Sequence, residues 1–332
     1  MTVSVVSLRK STTVRIDRLM TTVVKTAFGV LERALPDLGA WWAERLWFTV
    51  PDAGARVPAR RQPAGFEPGR RVEIGLHGRK IVGETWGEGP LVYLIHGWGG
   101  RRTDLAAYVG PLTAAGYRVL AFDGPSHGQS DPGPSGRKQT TLVEIRDAIL
   151  AVDAAEGPAF AVVAHSGGAM ATGLALLDGL SPQRLVFVAP MSGVAGYIRG
   201  FARHAGFGER ITSRMVTRIE RRVQAPLSAF DLPDLVRRIT PAPLLVVHDR
   251  RDAEIPYAES ERLVAGWPDA EMFTTESLGH RRILRAPHVV AAAVDFIDAA
   301  SSSAGPAYAG ALGGRRADRD RVLDQRDERI EA

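Results

Sequence analysis

Short, unbroken apolar runs recur through the middle of this chain: PLVYLIHG (90–97), YRVLAFDG (117–124), AFAVVAHS (159–166), RLVFVAP (184–190) and APLLVVHD (242–249). A strand with one wet face alternates apolar and polar residues. Runs this continuous belong to strands covered on both faces. Helical stretches separate them, at 103–115, near 140–155 and near 168–180, with further helices at about 257–266 and 287–300 around a last strand in AEMFTTESL. Strands alternating with helices dictate a mostly parallel sheet with helices on both faces. RVEIGLHG and RKIVGETWG read as a hairpin ahead of it, and there is no internal repeat.

With 332 residues, 45% of them hydrophobic, the chain can bury a large core. Residues 1–50 read as N-terminal helices: Leu19, Val23, Ala27, Leu31 and Leu35 recur at helical spacing, and Trp41, Trp42, Leu46 and Trp47 follow Pro36. Two roles fit them, packing on the domain or lying at a membrane surface, and packing is preferred. Residues 51–70, rich in Pro, Gly and Arg, read as a linker, and 71–300 as the α/β domain. Residues 301–332 read as a disordered tail. The net charge of +5 comes from scattered arginines rather than a basic patch, which argues against nucleic acid as a partner. There is no cysteine, so thiolate chemistry and disulfides are excluded. No run reaches the roughly 18 apolar residues of a spanning helix and no signal pattern is evident, so a cytoplasmic protein is expected. Oligomeric state is not legible.

Ser166 stands where AFAVVAHS ends and the helix near 168–180 begins, at the carboxyl end of a strand, where open parallel sheets collect reactive groups. A nucleophile on so tight a strand-to-helix turn needs small residues two positions before and after it, here Ala164 and Gly168.

These features together resemble the α/β-hydrolase superfamily, over about residues 71–300. AHSGG is similar to the family's G-x-S-x-G elbow, with alanine in place of the first glycine. LIHGWGG resembles its oxyanion loop, and FDGPSHGQS its D-x-P-G-H-G-x-S segment with Ser126 where glycine is common. The resemblance implies an α/β-hydrolase fold with a small helical cap inserted at about 191–240. It also implies a triad in the order Ser, acid, His. VVHDRRDAEIP matches H-G-x-x-D-x-x-[VI]-P and nominates Asp252 as the acid. Asp249, in the position of the glycine, is the reserve candidate. LGHRRIL matches G-H-[RK]-x-x-L and nominates His280 as the base over His288. The N–H groups of Trp98 and Gly167 would hold the oxyanion. His96 would brace its loop, and His127 and Asp123 receive no catalytic role. His77, His204 and His248 stand alone in the sequence and read as structural.

The expected activity is hydrolysis of a small-molecule carboxylic ester through an acyl-enzyme on Ser166, with no metal or cofactor. Serine at the elbow argues against dehalogenases and epoxide hydrolases, which use a carboxylate there. A thioesterase or acyltransferase with the same triad is one alternative, and a non-catalytic binding scaffold another. Within the cap, Ile211, Met215, Ile219 and Val223 form one helical stripe. Arg214, Arg218, Arg221 and Arg222 lie elsewhere around that helix, either as a solvated face, the preferred reading, or as attraction for an anionic ligand or lipid.

Overall fold

The computed structural model describes residues 22–51 and 66–301. The expected tail, most of the expected linker and the first part of the N-terminal region lie outside the described residues. Eight strands form one sheet: β1 (Arg70–Leu76), β2 (Arg79–Trp86), β3 (Leu91–Ile95), β4 (Arg118–Phe122), β5 (Ala161–His165), β6 (Arg184–Val188), β7 (Leu244–Asp249) and β8 (Ala270–Thr275). Their order is β1-β2-β4-β3-β5-β6-β7-β8. β1 and β2 are antiparallel, joined through His77 and Gly78, both at positive φ as a tight hairpin turn requires. β2 meets β4 antiparallel, and every pairing from β4 to β8 is parallel.

The central strands β3 and β5 are buried at every position, which is why their sequences do not alternate. Their side chains still divide by the two-residue period. Leu91, Tyr93 and Ile95 enter one core layer, and Val92 and Leu94 the other. The first layer lies under α4 (Leu142–Glu156) and α5 (Gly167–Leu177), and the second under α3 (Ala106–Ala114) and α11 (Pro287–Ser301). The chain runs from β3 outward to β4 and then returns past β3 to β5. The loops after β3 and β5 therefore diverge, opening the crevice where such sheets bind ligands.

Between β6 and β7 the chain leaves the sheet for α6 (Ala195–Ala205), α7 (Glu209–Val223) and α8 (Leu232–Val236), while α9 (Tyr257–Gly266) and the short α10 (Gly279–Arg282) follow β7 and β8. The cap helix α7 buries Ile211, Met215 and Ile219. N-terminal helices, α1 over residues 22–34 and α2 over Pro36–Trp47, pack against it. The approach is close: a Cβ at Gly39 of α2 would lie 2.4 Å from Ile211 Cδ1. Of Arg214, Arg218, Arg221 and Arg222, only Arg221 stays exposed without an acidic partner among the described residues, its Nε–H donating to Thr217 O at 3.3 Å. The other three are not simply a solvated face. Arg214 pairs with Asp37 at 3.0 Å, and Arg218 and Arg222 reach Glu44 at 2.6 and 3.5 Å. The reason is a long-range docking that no local pattern encodes.

Glu32 of α1 supplies what the α7 N-terminus lacks. Gly208 at its N-cap has no side chain, and the Glu32 carboxylate instead accepts the N–H groups of Gly208, Arg210 and Ile211 at 3.1, 2.9 and 3.2 Å. The inner face of the N-terminal pair is thus part of the cap, and its outer face leaves Val30, Leu38 and Trp41 exposed. No helix among the described residues is long and apolar enough to cross a membrane.

Candidate active site

The turn after β5 is tight and crowded. Ser166 has φ 53° and ψ −122°, an unusual conformation for a residue with a side chain. Its N–H donates to Val188 O, and its carbonyl accepts from Ala169 and Met191, each at 3.1 Å. A Cβ at Gly168 would lie 2.5 Å from His96 O and 3.0 Å from Ile95 O. One at Gly97 would lie 2.8 Å from Ser166 Cβ. A residue without a side chain is therefore demanded two positions after the serine, at Gly168, and in the facing loop, at Gly97. Although Ser166 occupies the N-cap of α5, its side chain does not cap the helix, which leaves Oγ uncommitted.

The two amides expected at the oxyanion site face the same space. The Cβ position at Gly167 lies 3.8 Å from Trp98 N. Among the described residues neither the Trp98 nor the Gly167 N–H has a hydrogen-bond partner, and Gly167 opens α5 at the positive end of its dipole. The Trp98 loop is pinned by two buried histidines. His96 Nε2 accepts the Gly124 N–H at 2.9 Å, and His127 Nε2 accepts the Gly99 N–H at 3.1 Å. Burial, with the neighbouring His96, pushes His127 down to about 3, so it stays the neutral acceptor this bond needs. Asp123 takes the Arg102 and Gln129 N–H groups at 2.8 and 2.9 Å and shapes the adjoining loop.

On the other side of the crevice, His280 Nδ1–H donates to Asp252 Oδ2 at 2.8 Å. A carboxylate only accepts, so this bond puts the proton on Nδ1 and leaves Nε2 as the basic nitrogen. The His280 ring lies against His165, the residue before Ser166, with centroids 4.6 Å apart, and His165 Nε2–H donates to His280 O at 3.1 Å. Burial, then the adjacent His280, pushes His165 down to about 3 and keeps it uncharged beside the candidate base. Glu254, half-exposed and paired with Arg281 at 3.1 Å, approaches His280 Nε2 to 4.0 Å. Among the described residues Ser166 Oγ makes no hydrogen bond, and the candidate base meets the elbow through His165 rather than through the serine hydroxyl.

Asp252 is more heavily held than its sequence context implied. Oδ1 accepts the Glu254 and Ile255 N–H groups at 2.8 and 2.9 Å. Oδ2 receives a second imidazole besides His280, the Nε2–H of His248 at 3.2 Å. His248 is fully buried, and Ser260 Oγ–H donates to its Nδ1 at 2.6 Å, which fixes its tautomer. Burial alone would raise the Asp252 carboxyl, but the His248 and His280 hydrogen bonds and the Ile255 N–H bring it well below the usual carboxylate range. His248 therefore does not stand alone, as its isolation in the sequence implied. It lies four residues before the acid in a strand-end turn, a spacing whose meaning appears only once the turn is folded. Asp249, the reserve acid, is turned away: it accepts the Thr275 hydroxyl and the Leu278 N–H, both at 2.8 Å, and braces the loop that carries His280.

A cavity of about 280 Å³ opens beside the two free amides. Trp98 and Gly167 line its floor, Ile219 and Tyr197 come from the cap, and Trp47 and Phe48 from the end of α2. The aromatic cluster at 41–48 was visible in the sequence as helical, but nothing local assigned it to a pocket wall.

The model of the Alpha/beta hydrolase family matches residues 92–293. A curated relative from Cupriavidus necator, the dihydrolipoyllysine-residue acetyltransferase component of an acetoin cleaving system, is 37% identical over 159 residues. That match takes in 45% of this chain and 38% of the relative's length. Among solved structures, an esterase from Exiguobacterium antarcticum superposes with a TM-score of 0.53 at 17% identity, covering 69% of this chain and 99% of that one. A CIB-like hydrolase from Thermoplasma acidophilum gives 0.53 at 18% identity over 70% and 99%. The order of the strands, the elbow after β5 and the matched family model agree, and this chain belongs to the alpha/beta hydrolase family.

Proposed function

We propose that this protein is a serine hydrolase that cleaves a carboxylic ester through an acyl-enzyme on Ser166. The observation that carries the reading is the 2.8 Å bond from His280 Nδ1–H to Asp252, made by an imidazole resting on the residue before Ser166. With Nδ1 protonated, Nε2 is the atom that takes the Ser166 proton as Oγ attacks the ester carbonyl, once substrate binding brings the two side chains within hydrogen-bond reach. Asp252, held ionised by its donors, stabilises the imidazolium that forms. The oxyanion develops between the Trp98 and Gly167 N–H groups. Each donor contributes roughly 3 kcal/mol to the transition state, because both are oriented before the charge appears. His280 then protonates the departing alkoxide, and water attacks the acyl-enzyme by the reverse of the same proton path.

A second reading keeps every residue in its role but delivers the acyl group to an alcohol or thiol. The acetyltransferase component matched over 159 residues favours keeping it in view. One experiment addresses both. Hydrolysis of p-nitrophenyl esters is followed with rising butanol, and free acid is measured against butyl ester. Free acid as the main product, dependent on Ser166, supports the hydrolase. A butyl ester that dominates at low butanol supports the transferase, and no turnover by folded protein rejects both.

A further inference from the structure

The candidate acid is buried together with the groups that hold it. The side chains of Asp252 and His248 have no accessible surface, and Ser260 is fully buried as well. An ionised carboxylate offers about four acceptor sites, and here protein donors must fill them. Two on Oδ1 take the backbone N–H groups of Glu254 and Ile255. On Oδ2 one donor is His280, the candidate base, and the other is His248. His248 is set up to donate. Its backbone pairs with Thr274 of β8, and Ser260 Oγ–H, from α9, donates to its Nδ1 at 2.6 Å. With Nδ1 engaged as an acceptor, the ring proton sits on Nε2, the atom facing Asp252. Without that N–H a buried anion would be one donor short, the costliest kind of unmade hydrogen bond. Burial pushes the Asp252 carboxyl up, and the His248 bond is foremost among the contacts that bring it back down.

We propose that His248 is a positioning residue for the hydrolysis, acting through Asp252: its Nε2–H holds Oδ2 ionised and oriented toward His280. This rests on the serine-hydrolase reading of the same site and deepens it. While His280 is neutral it asks little of the acid. Once it has taken the Ser166 proton, the imidazolium needs the full negative charge of Asp252 at a fixed distance. A carboxylate missing one donor relieves the deficit by turning toward other donors or by taking up a proton. Either change weakens the attraction at the step that uses it. His248 does not line the cavity beside the oxyanion amides, so the loss falls on kcat rather than on substrate binding.

The test replaces His248 by Phe, Asn and Gln in the full chain. Gln carries its amide nitrogen as many bonds from the backbone as Nε2 and reaches Asp252 in its place. Asn carries its nitrogen where Nδ1 lies, toward Ser260, and Phe has no donor. Turnover of a p-nitrophenyl ester is divided by the number of sites that a fluorophosphonate finally labels, so misfolded molecules do not count. The expected result is a kcat per labelled site about tenfold lower in His248→Phe and His248→Asn, with KM little changed and most of the rate restored in His248→Gln. If the Phe variant does not fold, the comparison of Asn with Gln decides the matter alone. A merely structural role would lower the labelled fraction and leave kcat per site as in wild type. That result, or a Gln variant as slow as Asn, overturns the role of His248 and leaves the hydrolase standing. Folded wild type that neither hydrolyses the ester nor takes up the probe overturns both.

Discussion

Replacing Gly168 by alanine tests the elbow where its geometry is tightest. The new Cβ would lie 2.5 Å from His96 O and 3.0 Å from Ile95 O, and ordinary contact begins at 3.4 Å. Neither oxygen can retreat cheaply. Ile95 lies in the middle of the sheet, paired with Phe122 on one side and Ala164 on the other, and the His96 ring is bonded to the Gly124 N–H. Overpacking against fixed backbone costs about 3 kcal/mol, and alanine in a helix returns roughly 1 kcal/mol over glycine, so a net loss of about 2 kcal/mol is expected. Gly200→Ala in α6 is the control, because its Cβ would meet nothing nearer than Arg203 Nη2 at 4.0 Å. There the helix gain stands alone and the protein becomes more stable by about 1 kcal/mol. Urea unfolding followed by tryptophan fluorescence measures both. Gly168→Ala should also slow ester turnover, since it displaces the helix start that presents the Gly167 amide. A Gly168→Ala protein as stable and as active as wild type would refute the tight seating of the elbow on β3.

Three further outcomes follow from the same contacts. Asp252→Asn should lower kcat by roughly 10³-fold or more with little change in KM, because the amide cannot hold two imidazoles in their donor tautomers; steady-state kinetics on a p-nitrophenyl ester checks it. His127 and His165 are both held near 3, below the 6.5 of an exposed histidine, so the unfolded chain binds protons that the folded one refuses. Their contribution is full above about pH 6.5 and is lost as pH falls, by roughly 4 kcal/mol between pH 7 and 5 for the pair, and urea midpoints at the two pH values should show it. Glu32→Ala should cost about 1–2 kcal/mol by leaving three α7 N–H groups without their acceptor, with Glu32→Gln retaining part of that in the same assay.

What the sequence revealed and what it hid divide along a physical line. β3 and β5 were legible because burial on both faces removes polar residues from a strand, and that pattern is local. Ser166, Asp252 and His280 were legible as candidates because each sits within a short motif at a strand end. The Asp252–His280 bond and the seating of His280 on His165 were not, since they depend on the order in which β5, β7 and β8 lie in the sheet. His248, read as structural, looked isolated because its partners, Asp252 and Ser260, meet it only through the turn after β7 and the start of α9. Arg214, Arg218 and Arg222 looked like a wet face for a similar reason: their partners Asp37 and Glu44 are more than 170 residues away in the chain. The same docking carries Trp47 and Phe48 to the cavity, a placement decided by tertiary contact rather than by the helix that bears them.

The central claim is that Ser166 is an activated nucleophile. Reaction with a fluorophosphonate probe, followed by peptide mapping, tests it most directly in wild type, Ser166→Ala and His280→Ala. The account predicts a single modified residue, Ser166, with labelling abolished in Ser166→Ala and slowed by orders of magnitude in His280→Ala. Folded wild type that stays unmodified, or labelling that persists in Ser166→Ala, would contradict it.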